Sequence, residues 1–240
     1  MKYELYYWPS IQGRGEFVRL ALEEAGADYV DIARRSGKGL GMAAMSRMLD
    51  DDGLPALPFA PPFLKAGRLV IGQTANILFY LGPRHGLAPR NEAARLWINQ
   101  LQLTIADFVV EIHDTHHPIA KSLYYHQQKP EARRRAKDFR TERMPRFLGY
   151  FERILAAQGR RRPFIAGRFS YADLSLFQVV DGLGYAFPRT LKRQAADHPR
   201  LMDLHARIAA RPNVAAYVAS KRRLAFNQYG IFRHYPELDR

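Results

Sequence analysis

The chain has 240 residues, 47% of them hydrophobic, and carries 37 basic against 23 acidic side chains for a formal net charge of +14. It holds no cysteine, which excludes disulfides, thiolate metal sites and any mechanism with a protein thiol as nucleophile. A chain of this size and apolar content can build a sizeable core as one large domain or two small ones, and no apolar run approaches the roughly 20 residues of a membrane span, so a soluble, cytoplasmic protein with no membrane partner is expected.

In chain order, residues 2–7 and 28–33 alternate apolar and polar as strands do, and between them Val18, Ala21, Leu22 and Ala25 recur at helical spacing before Gly26, a natural helix stop. This predicts a β-α-β unit. Residues 36–53 are Gly-rich and poorly patterned. Residues 62–64 and 69–71 then read as two short strands turned at Ala66-Gly67, followed by a helix over residues 74–81. The order β-α-β, β-β-α predicts a thioredoxin-like domain over residues 1–83, ending in a Pro/Gly-rich linker at residues 84–91.

From residue 92 to 240 the strand pattern disappears and an all-helical domain is expected. Its helices run from about residue 92 into a His-rich stretch, over residues 130–157, over 171–185, and around 198–210 and 212–220, before a tail bearing Phe226, Tyr229, Phe232 and Tyr235. The helix over 171–185 has almost no polar face and should be central and buried. Ser170 and Asp173 ahead of it have the spacing of a capping box.

Three short segments carry the chemistry. Tyr6-Tyr7-Trp8-Pro9 puts a phenol at the end of the first strand, Pro61-Pro62-Phe63-Leu64 puts a proline at the start of the third, and Gln73-Thr74 opens a helix. A helix N-terminus offers free N–H groups and the positive end of a dipole to an anion. Between the first two lies Gly13-Arg14-Gly15-Glu16-Phe17-Val18-Arg19, which opens a helix of its own.

This order resembles the glutathione-binding half of the cytosolic glutathione transferases, and Ser170-Tyr171-Ala172-Asp173 is similar to the Ser-x-Ala-Asp segment of their helical half. The absence of cysteine leaves the tyrosine-using branches, of which sigma, mu, pi and alpha are examples. The resemblance implies a homodimer that conjugates glutathione to a small hydrophobic electrophile, with glutathione as co-substrate and no separate cofactor. Tyr7 would be the catalytic donor to the sulfur, because stabilising the thiolate lowers the pKa of a thiol that otherwise titrates at about 8.5. Tyr6 would point to the opposite face of the strand, and Ser10 is the rival donor.

The same resemblance implies that Gln73 and Thr74 hold the γ-glutamyl carboxylate, that Arg14 lines the site, and that residue 61 pairs its backbone with the cysteinyl part of glutathione. Pro61 departs from the family here, since it keeps a carbonyl but has no N–H. Asp107 would reach the partner subunit's site, and Trp8, Ile11, Phe108 and Ile112 would form the electrophile pocket. Lys38 and Arg47 are the basic candidates for the glycyl carboxylate.

Two further features have plainer readings. His113, His116 and His117 lack the spacing of a recognised metal pattern, so a polar helix end before Pro118 and no metal are expected. The arginine runs at residues 133–135 and 160–162 accompany no nucleic-acid-binding motif, so a solvated basic surface is expected. Two rivals to the enzyme stay open at this point: a non-catalytic or weakly glutathione-binding scaffold of the same fold, and a nucleic-acid-associated protein using the arginine runs.

Overall fold

The computed structural model describes residues 2–159 and 161–240, so Arg160, in the second arginine run, lies outside the described residues. Strand β1 (Tyr3–Tyr6) runs parallel to β2 (Tyr29–Asp31) and antiparallel to β3 (Phe63–Ala66), which pairs antiparallel with β4 (Leu69–Gly72), giving the order β2-β1-β3-β4. Helix α1 (Gly15–Glu24) is the crossover between β1 and β2. It stops at Gly26, whose φ of +59° suits a residue without a Cβ.

The two-residue period of the strands decides which side chain meets which helix. Tyr3, Leu5, Leu64 and Ala66 bury one face of the sheet against Val18 and Leu22 of α1 and Ile77 and Leu81 of α3 (Thr74–Leu81). Tyr6 and Phe63 bury the other face with Ala44 and Met45 of α2 (Gly41–Leu49). Residues 36–53 are therefore not simply a loop. Helix α2 escapes a periodicity reading because only Ala44 and Met45 of its residues are buried, too narrow a stripe to stand out between glycines.

Gly82–Arg84 forms a short 3-10 turn that leads to α4 (Glu92–Asp114), whose N-cap Asn91 accepts a hydrogen bond from the Ala94 N–H at 3.0 Å. The helix expected over residues 130–157 is two helices, α5 (Lys129–Asp138) and α6 (Met144–Gln158), joined by a wider π-type turn at Phe139–Arg143. Then come α7 (Tyr171–Ala186), α8 (Pro188–Gln194), α9 (Pro199–Ala209) and α10 (Pro212–Val218). Helix α8 is an addition to the expected set.

Nearly every residue of α7 is buried. Its capping box forms: Asp173 Oδ2 accepts from the Ser170 N–H and hydroxyl, both at 2.8 Å, and Oδ1 accepts from the Ile165 N–H at 3.0 Å. Phe17, Leu20 and Ala21 of α1 and Leu78 of α3 enter the same core as α4, α6, α7 and α9, so the two halves share an apolar interface. Each such fully buried side chain contributes about 1.5–3 kcal/mol.

A polar network reinforces the join. Arg19 of α1, wholly buried, pairs with Asp31 at 2.7 Å and Glu16 at 3.3 Å, and Glu16 accepts from the Tyr217 hydroxyl of α10 at 2.9 Å. The charges are shared, since Glu16 also meets Arg223 at 3.6 Å and Asp31 also meets Arg34 at 3.7 Å. After α10 the aromatic tail crosses the molecule as a strap. Phe232 lies so close to Gly182 that a Cβ there would meet its ring at 2.4 Å, and the Leu224 and Ile231 carbonyls are held by Gln12 and His116. Among the described residues, no helix is long and apolar enough to cross a membrane.

Candidate active site

Tyr7 follows the last residue of β1 and, two positions beyond Leu5, faces the α1 side of the sheet. Gly13 and Gly15 form its seat. A Cβ on Gly13 would lie 2.0 Å from the Tyr7 hydroxyl, one on Gly15 would lie 2.5 Å from its ring, and Gly13 also holds a φ of +47°. The hydroxyl oxygen accepts the Arg14 N–H at 2.8 Å. Among the described residues its own proton has no acceptor. Burial pushes the phenol above its ordinary pKa, while the Arg14 N–H and the charges of Arg14 and Arg19 pull it back, so it keeps that proton at neutral pH.

Tyr6 is differently employed. It stacks on Phe63 with ring centroids 4.5 Å apart and donates its hydroxyl proton to Glu4 at 2.7 Å. Ser10 is exposed, and its carbonyl accepts from Asn227 of the tail at 2.8 Å.

Arg14 links the phenol to the start of α3. Its carbonyl faces the Thr74 hydroxyl at 3.5 Å, a weak contact, and its guanidinium makes no hydrogen bond or ion pair among the described residues. Gln73, immediately before α3, is the single non-glycine residue with positive φ among the described residues, at +68°. Such a conformation costs about 1–3 kcal/mol and collects at ligand-binding positions. No side chain caps α3, so the N–H groups of its first turn remain open to an anion. The Pro61-Pro62 bond is cis and delivers the chain into β3 beside β1.

Arg14, Phe17 and Thr74 share a small, mainly apolar cleft with Gln102, Ile105, Ala106 and Val109 of α4. Tyr7, Arg14, Gln73 and Thr74 thus meet at one edge of the β-sheet domain, facing α4. Arg14 lines the cleft and its backbone N–H meets the buried Tyr7 hydroxyl; among the described residues neither the phenol proton nor the guanidinium has a protein partner.

Three comparisons bear on the family. Residues 113–221 match the family model described as glutathione S-transferase, C-terminal domain. A pi-class glutathione S-transferase from Onchocerca volvulus superposes with a TM-score of 0.69 at 26% identity, over 91% of this chain and 92% of that one. Glutathione S-transferase P 1 of Xenopus laevis is 25% identical over 92% of this chain and 93% of its own length, and the glutathione S-transferase of Plasmodium yoelii yoelii is 23% identical over 88% and 90%. The chain is similar to glutathione S-transferases over nearly its whole length, and its helical half matches their C-terminal domain.

Within that glutathione S-transferase fold, the other expected residues fall into two groups. Trp8, which follows Tyr7 in the sequence, is 40% exposed, and Ile11 is half-buried. Asp107 is exposed on the outer face of α4, with no hydrogen bond or ion pair among the described residues. Lys38 and Arg47 are also exposed. Phe108 and Ile112, expected in the electrophile pocket, lie instead in the helical core: Phe108 stacks on Phe147 at 4.4 Å, and both residues are sealed from solvent. The reason is rotational, since positions 101, 105, 108 and 112 share the face of α4 that the other helices cover.

The histidines are a second correction. They do lie at the end of α4 as a polar helix end, but His116 and His117 are buried and His113 half-buried. The structure also adds Gln102, 2% exposed and lining the cleft, whose Oε1 has no hydrogen-bond partner among the described residues. A polar residue among the apolar positions of α4 was the available signal.

Proposed function

We propose that this chain is a tyrosine-type glutathione transferase that conjugates the glutathione thiolate to small hydrophobic electrophiles. The observation that carries the reading is the state of the Tyr7 hydroxyl, whose oxygen accepts the Arg14 N–H at 2.8 Å while its proton is left for an incoming acceptor. The N–H bond makes the phenol a better donor, because it stabilises the charge that builds on oxygen as the proton is shared. Donated to glutathione sulfur, that proton favours the thiolate over the thiol. The sulfur then attacks an electrophilic carbon, forming a C–S bond as the leaving group departs with the bonding electrons.

The remaining groups bind and orient. The first-turn N–H groups of α3, with Gln73 and Thr74, receive the γ-glutamyl carboxylate, and the unpaired guanidinium of Arg14 adds a positive charge to that side of the cleft. The unpartnered Gln102 oxygen suits the γ-glutamyl ammonium. The Pro61 carbonyl accepts from the cysteinyl N–H, and Trp8 and Ile11, under the strap formed by the tail, offer apolar surface to the electrophile. Glutathione is the co-substrate, with no separate cofactor. A homodimer is supported by Leu96, Leu103 and Val110, exposed at seven-residue intervals along α4, and by Phe59, 97% exposed just before Pro61-Pro62.

Pro61 favours one second reading, a scaffold that binds glutathione weakly, since residue 61 has no N–H for the ligand's facing carbonyl. Steady-state turnover of a chlorinated aromatic with glutathione separates the two. The enzyme reading predicts saturable, Tyr7-dependent release of chloride, whereas no rate above the uncatalysed reaction would favour the scaffold.

A further inference from the structure

The C-terminal end of α4 carries a cluster that the transferase reading leaves unused. His113, His116 and His117 pack together with ring centroids 4.9, 5.0 and 4.8 Å apart, and one nitrogen from each lies within 4.8 Å of the other two. We propose that these three histidines form a binding site for a divalent transition metal of the zinc type, with one coordination position open.

The hydrogen bonds around the cluster favour this over a packing role. His116 Nε2 is 2.8 Å from the Ile231 carbonyl, which can only accept, so Nε2 carries the proton and Nδ1 presents its lone pair. Metal-bound histidines are commonly held by such a bond from the far ring nitrogen to a backbone carbonyl. The Nδ1 of His116 accepts a hydrogen bond from the Nδ1–H of His117 at 2.6 Å, and a metal ion would take the place of that proton between the two rings. His113 Nδ1 lies 3.5 Å from Asp114 Oδ1, leaving its Nε2 free. Zinc binds imidazole nitrogen at about 2.0–2.1 Å, which sets tetrahedral ligand nitrogens roughly 3.3 Å apart. Binding a metal therefore requires the His113 and His117 rings to turn to that spacing, while His116 is held by Ile231.

The positive charges of Arg233, from the tail, and of Arg14, from α1's leading loop, oppose a cation here, and the Asp114 carboxylate offsets them. Three imidazoles without a thiolate suit zinc, copper or nickel over magnesium or calcium. The partial exposure of the His113 side chain, 17%, gives the ion a way in.

The test uses full-length protein without an affinity tag, freed of metal by a chelator and titrated with zinc in a calorimeter and with cobalt in a spectrophotometer. One zinc per chain and the visible bands of four-coordinate cobalt are expected. The double variant His113→Gln/His117→Gln should bind zinc roughly tenfold more weakly or worse and lose the cobalt bands, since even outer partners of a metal cost about that much. Equal affinity of the variant, or no zinc uptake by the unaltered protein, would overturn the site. Should the variant fail to fold, X-ray absorption at the zinc edge of the unaltered protein decides: three imidazole nitrogens at about 2.0–2.1 Å support the site, and fewer reject it.

Discussion

Tyr6 and Tyr7 are adjacent and chemically identical, and their surroundings alone separate them. Tyr6 lies over α2, stacked on Phe63 and donating to Glu4. Tyr7 lies on the α1 side, where two glycines admit its ring and a backbone N–H approaches its oxygen. Alternation along β1 made the opposite facing legible in the sequence. The glycine seat was not legible, because Gly13 and Gly15 read there only as the start of a helix. Tyr7→Phe should slow turnover roughly ten- to a hundredfold, the worth of one hydrogen bond to a charged sulfur at about 1.5–3 kcal/mol. Tyr6→Phe and Ser10→Ala should change it less than about threefold. A larger defect from either of those two variants would assign the donor elsewhere.

At the scale of elements, α3 was the most legible. Its span of Thr74–Leu81 follows from an apolar run after a turn signal, and the structure has the same limits. The sequence did not reveal Gln73's positive φ, since such a backbone at a non-glycine residue is imposed by tertiary context. Thr74 caps nothing, and its hydroxyl makes only the weak contact with the Arg14 carbonyl at 3.5 Å. Thr74→Ala should raise the Michaelis constant for glutathione several-fold with turnover nearly unchanged, since the carboxylate contact is the same before and during sulfur attack. Unchanged kinetics with a lower melting temperature would mean that the hydroxyl serves only the fold. Elsewhere, α7 was legible from its missing polar face and its Ser170/Asp173 box, both present in the structure. The break between α5 and α6 was missed although Pro145, in the first turn of α6, marks a helix start in the sequence. Phe108 and Ile112 were misplaced because periodicity identifies the buried face of α4 but not what covers it.

For the whole molecule, the exposed apolar residues and the free carboxylate of Asp107 fall on the same side of α4, positions 103, 107 and 110 sharing one face. A two-fold dimer through this face would bury each Phe59 and carry Asp107 toward the other subunit's cleft. Losing two buried phenylalanines is worth roughly 3–6 kcal/mol, so Phe59→Ser should weaken the dimer at least about a hundredfold in sedimentation, and glutathione affinity should fall with it. A variant that remains dimeric, or an unaltered protein that is monomeric, would contradict the arrangement.

The most direct test of the central claim is the ionisation of glutathione bound to the intact protein, followed by thiolate absorbance in the ultraviolet as pH is raised. The account predicts titration well below the ordinary thiol value of about 8.5 in the unaltered protein. In Tyr7→Phe it predicts a return toward that value by roughly one to two pH units, with the affinity for glutathione nearly unchanged. Bound glutathione that titrates at the same pH in both proteins would contradict it.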